Sequence, residues 1–125
     1  MATPIDLEFF ARLRQLNDKF AASIPTTLDR LRALRAAFDP EQPDPQIVTD
    51  LHQLLHTIAG SAATFGFRGF GQQSRSLEQR LRVLMAFEVI AARDWRNWLD
   101  SLDQMIVWAS IDPRADFVDG PVGGG

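Results

Sequence analysis

Apolar residues recur at helical spacing along most of the chain: Leu28, Leu31, Leu34 and Phe38, then Ile47, Leu51, Leu54, Leu55, Ile58, Ala62 and Phe65, then Trp95, Leu99, Leu102 and Ile106. Steps of three and four residues, at about 100° per residue, put each set on one stripe of an α-helix. There is little sign of the alternation that marks a strand. Breakers divide the pattern. Thr3 and Pro4 read as N-cap and first helical position, with Asp6 and Glu8 where the helix dipole favours acid, and open a first helix to about Ala22. Pro25 is expected to break or kink it, with a second helix running to Asp39. Asp39-Pro40-Glu41-Gln42-Pro43-Asp44-Pro45 reads as a loop whose last two residues cap the third helix. That helix should end near Gly66, where Gly66, Gly69 and Gly71 mark a turn. A fourth helix is expected from about Phe70 to Phe87 and a fifth from about Ala91 to Ser110.

Short connections between the last three helices make them antiparallel neighbours. The predicted architecture is all-α: an antiparallel four-helix bundle with an additional N-terminal helix. Trp95, Trp98, Leu99, Leu102 and Ile106 are assigned to its core. Residues 1–112 are read as one domain, and 113–125, rich in glycine, as a disordered C-terminal tail.

Composition narrows the function classes. A chain of 125 residues, 46% hydrophobic and 23% charged, has room for one core. The absence of cysteine excludes a disulfide framework, a thiol nucleophile and a thiolate metal site. A net charge of -3 argues against nucleic acid as the main partner. No apolar run reaches the roughly 20 residues that cross a bilayer. The amino terminus lacks a basic stretch followed by a hydrophobic one, so no membrane and a cytoplasmic location are expected.

Candidate chemistry centres on His56. It falls about 155° from the middle of the third helix's apolar stripe, and so faces water. Ala59, Gly60 and Ala63 surround it where a solvent face ordinarily carries Lys, Glu or Gln, which leaves a smooth patch another protein can approach. Gly60 within a helix costs about 1 kcal/mol relative to Ala, so close approach accounts for it better than propensity does. In a hairpin turning near Gly66 and Phe67, His56 lies level with Leu77 and Glu78. Leu77 should point inward, leaving Glu78 to accept a hydrogen bond from one ring nitrogen and fix the tautomer. His52 and His56 also have the i, i+4 spacing of a metal pair, given a third ligand from elsewhere. No acidic residue follows His52 as in a His-Glu-x-x-His motif, and His52 falls about 115° from the stripe, at the core edge.

His56-Thr57-Ile58-Ala59-Gly60, followed by Gly66 and by Leu77-Glu78, resembles the signature of histidine-containing phosphotransfer (HPt) domains. That pattern is His-x-x-Lys-Gly, a second Gly six residues later, and Leu-Glu or Leu-Gln about twenty residues after the histidine. The similarity extends from about Asn17 to about Ile106. It implies that His56 is the phosphoacceptor, Gly60 the small residue beside it, and Gly66 the turn ending the helix. It implies a phosphoryl carrier between receiver-domain aspartates rather than an autonomous enzyme, with no cofactor and no metal of its own. The implied partner is a receiver domain of a response regulator or of a hybrid histidine kinase. Ala59 departs from the pattern, where the family has Lys. Arg75 and Arg82 are then the nearby basic residues available to a phosphoryl group. The alternative is an HPt-like adaptor that docks a receiver or kinase without carrying phosphate. A monomer is expected.

Overall fold

The computed structural model of the chain describes residues 4–114. These residues form four helices and no strand: α1 (Pro4–Ala37), α2 (Pro45–Ser61), α3 (Arg68–Met85) and α4 (Ala92–Ile111). The helices run alternately up and down. Buried Leu28 and Leu31 of α1, Leu51, Leu55 and Ile58 of α2, Phe70, Leu77 and Leu81 of α3, and Trp98, Leu99, Leu102 and Met105 of α4 make one core. The all-α four-helix bundle is the architecture read from the sequence. The expected Thr3 cap and the tail from 115 onward lie outside the described residues. Pro113 and Arg114 are within them, and the Arg114 guanidinium stacks 4.7 Å from the centre of the Phe67 ring.

The amino-terminal half corrects one expectation. The additional N-terminal helix is no separate element, because α1 is one helix of 34 residues with Pro25 inside it. Pro25 removes one backbone hydrogen bond and costs about 3 kcal/mol in a helix interior. Its ring lies on the exposed side. The stripe of Ile24, Leu28 and Leu31 continues past it into the core. Three such burials, each worth about 1.5–3 kcal/mol, outweigh the lost bond. Phe20 anchors the helix ahead of the proline, its ring 5.3 Å from Phe65 and 5.4 Å from Phe67. That contact lies at the α2–α3 turn, so the earlier turns of α1 run past the bundle, and Leu7, Phe9, Phe10 and Leu16 are exposed.

The remaining boundaries follow local chemistry. Asp44 caps α2, its side chain accepting from the Gln46 amide at 2.8 Å, with Pro45 at the first position. Regular α2 ends at Ser61, but turns carry the chain on to Gly66, whose φ of 90° only glycine adopts without strain. The Phe67 amide donates to the Ala62 carbonyl at 2.8 Å and the Gly66 amide to Ala63 at 3.3 Å. This pair of bonds is a Schellman closure with Gly66 as the left-handed residue. It reverses the chain within a few residues and sets α2 against α3.

Candidate functional site

The tight turn at Gly66 and Phe67 fixes which residues of α2 and α3 meet. Pairs equidistant from Phe67 lie side by side, and three such pairs build the site. Nearest the turn, a Cβ added to Gly71 would sit 3.2 Å from the Ala63 amide nitrogen, so this glycine is where the two helices approach closely. One step further out, Arg75 Nη2 donates to the Ala59 carbonyl at 3.3 Å. Beyond that, His56 Nδ1 lies 3.2 Å from Glu78 Oε1. Trp98 Nε1 donates to the Leu77 carbonyl at 3.0 Å, which ties α3 to α4 immediately before Glu78.

The imidazole is presented outward while its partner is held inward. The His56 side chain is 69% exposed, and that of Glu78 is 5% exposed. A carboxylate only accepts, so the ring nitrogen facing it, Nδ1, carries the proton. Nε2 is left with its lone pair on an exposed ring. Arg82 also donates to Glu78 Oε1, at 2.5 Å. A third group sits on the same oxygen: His52 Nε2 is 3.2 Å away, yet out of line for a hydrogen bond, and that nitrogen is buried without a partner. The two imidazoles stack nearly parallel, 6.4 Å apart.

Burial pushes the Glu78 carboxyl up, but the hydrogen bonds from His56 and Arg82, with the charges of Arg82 and His52, outweigh it and hold the group below its ordinary value of 4.5. A carboxyl lowered in the folded state stabilises the fold at pH values above its unfolded value, and that stability is lost as pH falls through the folded one. Glu78→Gln should therefore flatten the decline of the thermal midpoint below about pH 4.5, measured from neutrality to about pH 3. Equal acid sensitivity of the variant and parent would show that Glu78 carries none of this linkage.

A small cleft of about 200 Å³ is lined by His56, Ala59, Gly60, Arg75, Glu78, Gln79 and Arg82. Six of these are residues singled out from the sequence, and Gln79 is an addition. Gly60 and Ala63 are exposed, and a Cβ on Gly60 would meet nothing within 4 Å. Ala59 differs from expectation. It is only 7% exposed and belongs to the buried set rather than the open patch. Its position turns toward α3, where Arg75 reaches across it. Gly69 and Gly71, expected in the turn, lie inside α3, and the close approach at Gly71 and the His52 contact both depend on the distance between two helices. Gly71 does fall opposite Ala63 once the hairpin register is drawn. Among the described residues no group of three His, Cys, Asp or Glu side chains is placed to hold a metal ion.

No curated protein and no solved structure matches the chain. The family model of the Hpt domain matches residues 15–106, a span that takes in most of α1 and all of α2 and α3. A bundle of four helices, an exposed histidine on α2 and a match over most of its length together place this chain in the Hpt domain family, whose members are phosphocarrier modules of phosphorelays.

Proposed function

We propose that His56 carries a phosphoryl group between the aspartates of receiver domains. The observation that carries this reading is the opposed placement of the two ring nitrogens: Nδ1 is held on buried Glu78 while the ring stands exposed. In the forward step the Nε2 lone pair attacks phosphorus of an aspartyl phosphate. The N–P bond forms, the acyl P–O bond breaks, and the aspartate leaves as carboxylate. Because Nδ1 keeps its proton, the phosphorylated ring becomes cationic, and the Glu78 carboxylate faces that developing charge from inside the bundle. Transfer onward reverses these bonds. The metal and much of the charge stabilisation belong to the receiver's pocket, so this chain supplies position and a poised nucleophile.

Arg75 bears on the adaptor alternative. The family has Lys where this chain has Ala59, and here a guanidinium from α3 lies over the Ala59 carbonyl in the same cleft as His56. The cation beside the phosphoryl group thus comes from the neighbouring helix. Arg75→Ala should slow phosphoryl uptake by a few-fold, up to about fivefold for an exposed charge worth under about 1 kcal/mol. Ala59→Lys should restore it in the Arg75→Ala background, where the space over residue 59 is open, and do little in the parent, where Arg75 occupies it. Rates of label transfer from a phosphorylated receiver domain check this. Equal rates in all four proteins would make Arg75 a strut between helices with no electrostatic part in transfer.

Docking of a receiver or kinase is assigned to the surface that Gly60 and Ala63 share with His56. Both residues are exposed and small, so a partner's backbone can close on the ring. Among the described residues no helix is long and apolar enough to cross a membrane.

A further inference from the structure

Glu78 Oε1 is over-subscribed. His56 Nδ1 and Arg82 Nη2 both donate to it, and His52 Nε2 waits 3.2 Å away, buried and without a hydrogen bond. The two established donors have different futures. His56 must stay, because its contact fixes the tautomer that leaves Nε2 reactive. Arg82 is 63% exposed at its side chain and lines the same cleft as His56, so it can reach a phosphoryl group there. Its departure would strip one cation from a carboxylate whose side chain is 5% exposed. Leaving a buried charge short of partners is costly.

Resting on the phosphoacceptor assignment of His56, we propose that His52 is a positioning residue, the reserve donor that takes up Glu78 Oε1 when Arg82 moves to the phosphoryl group. The neutral imidazole suffices, provided its proton is on Nε2. A small rotation brings that N–H into line, since the distance is already that of a hydrogen bond. His52 then touches neither phosphorus nor the reacting nitrogen. It acts through Arg82 alone, lowering the cost of the arginine's swing. The spacing supports the role: His52 lies one helical turn from His56 on α2, as Arg82 does from Glu78 on α3, so the other three side chains converge on one Glu78 oxygen.

The test is a double-mutant cycle read on the half-life of the phosphohistidine, with label site verified at His56 in each protein. His52→Phe keeps a ring of similar size and removes the donor, and should shorten the half-life by roughly three- to tenfold when Arg82 is present. In the Arg82→Ala background the same change should have no effect on half-life, because the arginine it assists is gone. His52→Gln, whose amide still donates, should retain most of the parent's half-life. A loss of equal size in both backgrounds, or equal losses for Phe and Gln, would reduce His52 to a packing residue and overturn the proposal. Nitrogen-15 long-range spectra of the unphosphorylated chain give a second readout independent of transfer. They should find the His52 proton on Nε2, and a proton on Nδ1 alone would overturn the proposal even with His56 labelled normally. Label absent from His56 in the parent would remove the phosphoacceptor reading itself, whatever the His52 tautomer.

Discussion

His56→Gln should abolish acid-labile labelling of the chain by a phosphorylated receiver domain, while His52→Gln should remain labelled. The expectation follows from exposure and from tautomer. The His56 ring is 69% exposed with Nδ1 turned to Glu78, whereas His52 is 24% exposed and its Nε2 is buried against the same carboxylate. An attacking nitrogen must reach phosphorus in line within about 3–3.5 Å, which a buried atom cannot do. Gln has no ring nitrogen and forms no phosphoramidate of this kind. The loss should be complete rather than graded, since His56 is the one imidazole lining the cleft. The fold should survive, because the Gln amide can still donate toward Glu78 and Arg82 remains on the same carboxylate oxygen. Acid-labile label retained on a folded His56→Gln protein would remove the phosphoacceptor assignment.

Gly60→Gln should weaken receiver binding by roughly thirtyfold, the equivalent of about 2 kcal/mol at the centre of an interface. The residue is exposed, lines the cleft with His56, and a side chain built on it meets nothing in the free protein. The free protein therefore accepts Gln without strain. Helix propensity favours the change by up to about 1 kcal/mol, less so here because Gly60 is the penultimate residue of α2. Thermal stability should hold or rise while affinity falls, and that divergence separates a docking role from a folding one. Titration of a receiver domain into parent and variant, with a thermal melt of each, measures both quantities. Unchanged affinity in a folded variant would move the docking surface elsewhere.

The legible parts of this protein were those set by local chemistry and by the geometry of one turn. Asp44 and Pro45 announce a helix start, and Gly66 announces a left-handed closure; both appear in the backbone. Once the turn at Gly66 and Phe67 was placed, counting outward from it predicted that His56 lies level with Glu78, and the two are 3.2 Å apart. What the pattern misjudged depends on contacts between elements. Pro25 reads as a break or kink in its own segment, whereas the burial of Ile24, Leu28 and Leu31 carries α1 through it. Ala59 is expected to be exposed from its spacing to His56 on the same helix. A residue so small at a helix–helix margin is covered by whatever its neighbour extends, here Arg75. His52 was read as an edge residue, which it is, but the carboxylate it faces belongs to another helix.

The most direct test of the account is to phosphorylate the nitrogen-15-labelled chain with a receiver domain and read which nitrogen couples to phosphorus. Phosphorus should couple to Nε2 of His56, with Nδ1 of the same ring still protonated and hydrogen-bonded to Glu78. Coupling to Nδ1 of His56, or to either nitrogen of His52, would contradict the account.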